Sequence, residues 1–441
     1  MLTFGLARGF HLTHLSPKDS SLSLFQHGEP AYSHLLLLPT KSKGLGPALT
    51  PQLIVDFVNA GSNVLLALSA SSGIPSAVSS LLLELDIQLP AERNSLVVDH
   101  FNYDSVSAGE AHDVLLLPTS GQKKGVADFF GVDGILAFPR AVGQVLGNAS
   151  PLLSSVLKAP STAYNYNPKD DSGDALDDVF ATGAQLSLVS TFQARNSARF
   201  AVLGSVESLE DVWFEASVSL PTNSITKSGG AKVSTANREF ARKLSAWTFK
   251  ESGVLRANSI THHLNSDTKD GISNSTAVSA APGDINPTIY RIKNNVHYSA
   301  SLSEWTSTHW SPFTPPAGDS VQLEFSMLSP FHRLNLTPSS QTANATTFTT
   351  DFILPDQHGI FNFFLEYRRP GYTVLEEKRT VTVRHFAHDE WPRSFVITGA
   401  YPWISGIWVT IGGWAIFVAL WLYSKPARPQ RDLKAGGAGK R

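Results

Sequence analysis

The chain has 441 residues, enough for two or three domains, and a formal net charge of −2 that gives no electrostatic case for binding nucleic acid. It contains no cysteine, which excludes disulfides, thiolate catalysis and cysteine-ligated zinc. Charged residues make up only 16% of it, so the class is decided by where the apolar residues concentrate.

The opening, "MLTFGLARGFHLTHLSPKD", makes a poor signal peptide, because His11, His14 and Lys18 interrupt it and no basic segment precedes an apolar core. Residues 34–38, "HLLLL", read as a buried strand closed by Pro39. "KSKGLGPAL" follows. It lacks the third glycine of a dinucleotide fingerprint, and Pro47 disturbs the spacing, so it reads as a loop. Thr50 ahead of Pro51 predicts a helix start, with Leu53, Ile54, Phe57 and Val58 as the apolar face and Gly61 at the end. "NVLLALS" (63–69) predicts a second strand, and Pro75 a second helix carrying Val78, Leu81, Leu82 and Leu85. "SLVVD" (95–99) and "DVLLLP" (113–118) supply two more strands. Near-continuous apolar strands alternating with amphipathic helices imply an α/β domain with a mostly parallel sheet. "QLSLVSTFQ" (185–193) and "RFAVLGS" (199–205) extend it. "ESLEDVWFEASV" reads as a helix, and a helix at about 236–250 closes the domain with Phe240, Leu244 and Trp247 inward.

From residue 255 the pattern changes to short alternating runs: "TIYRIKNNVHYSASL", "VQLEFSML", "GIFNFFLEYRR" and "YTVLEEKRTVTVRHF". In the last, Val381, Val383 and His385 alternate with Thr380, Thr382 and Arg384, the period of a half-exposed strand. Residues 1–254 are thus expected to be the α/β domain and 255–390 an antiparallel β-sandwich, with 391–402 a juxtamembrane connection.

Residues 403–423, "WISGIWVTIGGWAIFVALWLY", carry no charge. As a helix they span roughly 31 Å, matching a hydrocarbon core of about 30 Å. Tyr401 and Trp403 mark one end and Trp421 and Tyr423 the other, as interfacial aromatic belts do. Gly406, Gly412 and Gly413 offer a small face, and Gly406 and Gly413, two turns apart, are expected to pack on a partner helix. In the tail (424–441), Lys425, Arg428, Arg431, Lys434, Lys440 and Arg441 stand against one acid, Asp432, which predicts a cytoplasmic tail with the bulk of the chain on the other side. Translocating that bulk calls for a signal, so the start is expected to be truncated.

The strongest chemical candidate is "SLVVDHFNYD" (95–104). Ligands sit at the carboxyl ends of parallel strands, so Asp99, His100 and Asp104 could ligate a metal or move protons there. An aspartate in that place also caps loops by accepting backbone N–H bonds. Neither a G-x-S-x-G elbow nor an H-E-x-x-H motif is present. His385, His388, Asp389 and Glu390 lie close together in sequence but at the stalk, and the neighbours His262 and His263 fall on opposite strand faces. N-glycosylation acceptors stand at Asn148, Asn274, Asn335 and Asn344. Proline follows the hydroxyl residue at Asn148 and Asn335, which leaves Asn274 and Asn344 as the better pair.

Several long stretches together resemble one family: "HLLLLPTKSKGLGPALTPQLIVDFVNAGSNVLLALS", "LVVDHFNYD", "QARNSARFAVLGSVESLEDVWF", "GVLRANSITHH" and "DQHGIFNFFLEYRRPGYTVLEEKRTVTVRHFAHDEWPRSF". With the terminal span they make the chain similar to the 48 kDa subunit family of the eukaryotic oligosaccharyltransferase, in its fungal form. The resemblance covers nearly the whole chain. It implies a single-pass type I protein of the endoplasmic reticulum membrane with an amidotransferase-like first domain. It also implies an accessory subunit, without catalytic residues, metal or cofactor, in the complex that moves an oligosaccharide from dolichyl diphosphate to Asn in N-x-Ser/Thr. The implied partners are the other subunits, including a multispanning catalytic one, and membrane lipid. The family's cleaved signal and first strand are missing here, and the end, "GAGKR", is not the dilysine tail of some fungal members. Two other readings stand beside this one: a lumenal metal-dependent hydrolase using Asp99 and His100, and a membrane-tethered receptor ectodomain.

Overall fold

The computed structural model describes residues 8–40, 42, 44–118, 126–148, 150–168, 180–219, 232–265, 283–387, 390 and 400–426. The first domain is built from β1 (His34–Leu37), α1 (Pro51–Asn59), β2 (Asn63–Ala67), α2 (Ser76–Glu84), β3 (Ile87–Gln88), β4 (Leu96–Val98), β5 (Val114–Pro118), β6 (Ile135–Pro139), β7 (Gln144–Leu146), β8 (Leu153–Lys158), β9 (Tyr164–Tyr166), β10 (Leu186–Gln193), β11 (Arg199–Leu203) and α3 (Asn237–Thr248), together with shorter pieces. The start of α1 follows its local chemistry. Thr50 is the N-cap, its hydroxyl accepting from the Leu53 N–H at 3.3 Å, and Pro51 opens the first turn. Gly46, just upstream, has φ of +81°, and a Cβ there would stand 2.7 Å from the Pro17 carbonyl oxygen, so the loop closes only with glycine.

The main sheet has the order β1-β2-β11-β10-β7-β3, with β8 also on β10. Only β1–β2 and β2–β11 are parallel. The pairs β11–β10, β10–β7, β7–β3 and β10–β8 are antiparallel, so the sheet is mixed and the expectation of a mostly parallel one is corrected. For β11–β10 the reason is connection length. Five residues join β10 to β11, enough for a hairpin, whereas a parallel pair needs a crossover of about a dozen. The continuous apolar runs reported burial on both faces, not strand direction. In β2, Val64 and Leu66 face a layer with Ile54, Phe57, Val78 and Leu81, while Leu65 faces one with Phe240, Leu244 and Trp247. Two further expectations change. β5 forms a ribbon with β6 instead of joining the main sheet, and "ESLEDVWFEASV" holds only a 3-10 turn (Glu207–Leu209), one α turn (Asp211–Phe214) and a short strand (Ser217–Ser219).

The second domain comprises β12 (Ser252–Leu264), β13 (Ile289–Arg291), β14 (Asn295–Thr306), β15 (His309–Pro312), β16 (Gln322–Ser326), β17 (Pro330–Asn335), β18 (Thr337–Gln341), β19 (Thr346–Ile353), β20 (Gly359–Tyr367) and β21 (Leu375–Arg384). They form two five-stranded sheets, β12-β14-β19-β18 with β15 on β14, and β13-β21-β20-β16-β17, antiparallel except for β13–β21. The fully buried Tyr290, Tyr298, Phe313, Phe325, Phe348, Phe361 and Phe363 fill the core. Phe325 and Phe361 are stacked with centroids 4.6 Å apart. Such aromatic pairs add roughly 0.5–1.5 kcal/mol beyond the area they bury.

Arg199, the first residue of β11 and fully buried, ties the two domains together. Its Nη1 donates to the carbonyls of Trp247 (2.6 Å) and Ser252 (2.7 Å), and its Nη2 to those of Gly253 (2.9 Å) and Gly371 (3.0 Å). The guanidinium also lies 4.8 Å from the centre of the Trp247 ring, a cation–π contact. Burial lowers its pKa to about 9, with the nearby Glu304 opposing the shift, so it stays charged at neutral pH.

The last element, α4 (Tyr401–Tyr423), has 23 residues, about 35 Å of helix, and none of them is buried within this chain. It begins two residues before the expected span. By length and composition it is a candidate membrane helix.

Candidate functional site

Asp99 follows β4, which pairs antiparallel with β9 (Tyr164↔Val98), so the stretch does not end a strand of the parallel core. The Asp99 side chain is fully buried. Its Oδ1 accepts from the backbone N–H of Phe101 at 2.8 Å and of Asn102 at 3.3 Å, and its Oδ2 from the Asn102 side-chain amide at 2.9 Å. The Thr162 hydroxyl straddles both oxygens at 2.9 and 2.8 Å. The lone pairs that a metal or a migrating proton would need are engaged by donors from its own loop and from the segment before β9.

Asp104 is used in the same way. Its Oδ2 accepts from the Ser107 N–H at 3.0 Å and from the Ser107 hydroxyl, and its Oδ1 from the Ser219 N–H at 2.9 Å. It closes its own turn and staples that turn to the strand Ser217–Ser219.

His100 is exposed and engages both ring nitrogens away from Asp99. Nδ1 faces Nδ1 of His112, so one ring must donate and the other accept, and Nε2 lies 2.9 Å from the Tyr164 hydroxyl. Tyr103 lies against His112 with ring centroids 4.1 Å apart, completing an aromatic and imidazole cluster. Among the described residues no group of three or more His, Asp or Glu is arranged to hold a metal ion.

His262 and His263 do point to opposite faces. His262 is buried, 2.8 Å from the Tyr290 hydroxyl and stacked on Phe363, and burial lowers its pKa to about 4, so it packs as a neutral core residue. His263 lies against His297, whose Nδ1 is 2.7 Å from an Asp351 oxygen. His385 lies against His358 with the rings tilted and their centroids 3.7 Å apart, whereas His388 and Asp389 lie outside the described residues. Glu390 is buried and accepts from the Ala387 N–H at 2.7 Å.

Asn148, Asn335 and Asn344 are exposed, and Asn274 lies outside the described residues. Thr346, the hydroxyl residue of the Asn344 acceptor, is buried, and its Oγ1 has no hydrogen-bond partner among the described residues. Gly406 and Gly413 meet no other residue within 4 Å, so this chain leaves their helix face unpacked.

Sequence reasoning missed His112, Tyr164 and Thr162, which come from distant segments and carry no local signature. Asn102, three residues after Asp99, was within reach as an Asx-type pattern. It also missed a cluster in which Arg140 donates to Oε2 of Glu207 from Nε (2.9 Å) and Nη2 (2.7 Å), while Ser71 donates to Oε1 (2.9 Å).

Comparison with known proteins extends over nearly the whole chain. Residues 6–251 match the OST48 N-terminal domain and residues 273–425 the OST48 middle domain. The chain is 33% identical over 414 residues to the dolichyl-diphosphooligosaccharide–protein glycosyltransferase subunit wbp1 of Schizosaccharomyces pombe, covering 93% of this chain and 86% of that one. It is 32% identical over 423 residues to the 48 kDa subunit of the same transferase in Caenorhabditis elegans (95% and 86%), and 29% over 421 residues to that of Arabidopsis thaliana (95% and 88%). With both domain types matched in order, the chain belongs to the OST48 family.

Proposed function

We propose that the protein is a non-catalytic, single-pass subunit of the oligosaccharyltransferase, the complex that transfers a preassembled oligosaccharide from dolichyl diphosphate to asparagine in N-x-Ser/Thr. The observation that carries the reading is the end-to-end similarity to named subunits of that transferase, spanning both folded domains and the apolar helix. The site supports it in a second way: Asp99 and Asp104 are used as loop caps, which suits a scaffold better than a hydrolase. The subunit resides in the endoplasmic reticulum membrane with residues before α4 in the lumen and the basic tail in the cytoplasm. Its first domain is similar to amidotransferase-like α/β folds, a reading supported by the parallel trio β1-β2-β11 with helical cover. Its partners are the other subunits, including a multispanning catalytic one, and it needs no cofactor of its own.

Affinity purification of the tagged chain in a digitonin-like detergent, with identification of what accompanies it, tests the assignment. Recovery of the transferase subunits is expected; a chain recovered alone under conditions that keep the complex intact would remove the reading. Protease added to sealed microsomes should trim only the segment after about Tyr423, and loss of the β-sandwich would reverse the orientation.

A further inference from the structure

The β-sandwich has two unlike ends. One is taken up by the first domain: Ser252 pairs with Thr306 there, and Arg199 reaches the carbonyls of Ser252, Gly253 and Gly371. The registers Gly359↔Val383, Asn295↔Ile353 and Ser326↔Asn362 place five strand termini at the opposite end. Large apolar side chains are exposed there: Leu328 at 99%, Ile360 at 63% and Ile353 at 56%, with Phe331 at 36%.

The tip of the β16–β17 hairpin, "MLSP", is rooted rather than loose. Met327 sits over Gly359, close enough that a Cβ at that glycine would meet its sulfur at 2.7 Å. Phe331 packs edge-on against the buried Phe361 at 5.3 Å. Leu328 alone projects clear of everything. Polar groups ring this end: Lys293 paired with Asp356 at 2.9 Å, and His358 against His385. The chain leaves the sandwich here too, from Arg384 and His385, and after fifteen intervening residues enters α4 at Tyr401.

We propose that this end of the sandwich is a membrane-contact surface, with Leu328 inserted into the bilayer that α4 crosses and Met327, Ile360 and Ile353 at its interface. The inference rests on the reading of α4 as a membrane span. A lipid surface fits the observations better than a protein does. A single fully exposed leucine on a convex tip can be received by a pocket or by a fluid that closes around it, and the run of the chain from this same end to α4 favours the bilayer. An apolar tip with a polar rim is also an arrangement that settles at headgroup level.

The absence of cysteine makes a clean test possible. Leu328→Cys and Ile360→Cys, in the full-length chain, are each labelled with an environment-sensitive fluorophore and reconstituted into phosphatidylcholine vesicles containing a nitroxide-labelled lipid. Thr308→Cys, exposed in the β14–β15 turn at the other end, is the control. The expected result is a blue shift and a loss of emission at 328, a smaller loss at 360 and neither at 308. Both positions are exposed, so the substitutions leave the core intact. An unquenched label at 328 in a chain that resists alkaline carbonate extraction would overturn the proposal. A chain that washes out of the vesicles would instead overturn the membrane-span reading and the proposal with it. In the assembled complex, a benzophenone at 328 should form adducts with lipid. Adducts with another subunit would mean that a protein covers this end, and would overturn it as well.

Discussion

Replacing Asp99 separates a structural loop cap from a chemical group. The carboxylate receives four donors: two backbone N–H groups, the Asn102 amide and the Thr162 hydroxyl. In Asp99→Asn the retained oxygen still accepts from Phe101 and Asn102. The new NH2 group meets the Asn102 amide and Thr162, both of which can turn to offer an oxygen. One bond is exchanged and nothing is orphaned, so the cost should be about 1 kcal/mol. Asp99→Ala leaves two backbone N–H groups without their acceptor in a fully buried position, and should cost about 3 kcal/mol. Urea unfolding of the purified protein reads both numbers. Glycosylation of an acceptor peptide, normalised to assembled complex, reads the function. Near-normal turnover per complex is expected for Asp99→Asn and for His100→Gln, with any loss following the amount recovered. A fully assembled complex with turnover down a hundredfold would show that these residues carry chemistry and would refute the loop-cap argument.

Arg199→Ala removes four charge-assisted bonds. Trp247 O keeps the Lys250 N–H, Gly253 O keeps the Thr373 N–H and Gly371 O keeps the Trp247 indole, so the loss should be about 3 kcal/mol rather than the sum. Limited proteolysis between 249 and 254 should accelerate with it, and an unchanged cleavage rate would count against Arg199 as the tie between the domains. Burial raises the Glu304 pKa from 4.5 to about 7 against the pull of Arg199, so the folded state holds a proton that the unfolded chain has already released. Stability should therefore fall as pH rises from about 4.5 to about 7, and Glu304→Gln should flatten that part of the denaturation-midpoint profile; a slope unchanged by the substitution would assign it elsewhere. Exchanging Gly406 and Gly413 together for leucine should lower recovery of the complex by holding helix backbones apart, and undiminished recovery would refute a packing role for that face.

The elements legible in the sequence were those whose signals are local. Thr50 and Pro51 announced the start of α1, and the spacing of Phe240, Leu244 and Trp247 announced the buried face of α3. The alternation at Val381 and Val383 announced a strand with one face in the core, because a half-buried strand writes its period directly into the chain. Strand direction was not legible from burial, since a strand covered on both faces looks the same whichever way its neighbour runs. The five-residue link between β10 and β11 did contain that information for this pair.

The candidate site failed to resolve for a related reason. An acid after an apolar strand is consistent with a ligand, a base or a cap, and only the donors around it distinguish these. For Asp99 three of the four donors lie within three residues and the Thr162 hydroxyl comes from sixty-three residues away, so the sequence held the turn but not the lock. The same limit hid Arg199. An arginine at the head of an apolar strand reads as a solvated end, and becomes a joint only when Trp247, Gly253 and Gly371 bring their carbonyls to it. Arg199, and Asp99 and Asp104 through Thr162 and Ser219, hold pieces of chain to one another, and those partners are distant in sequence because joining distant segments is what they do. A subunit whose work is to keep a fixed shape within a larger assembly has reason to place its buried charge at such joints.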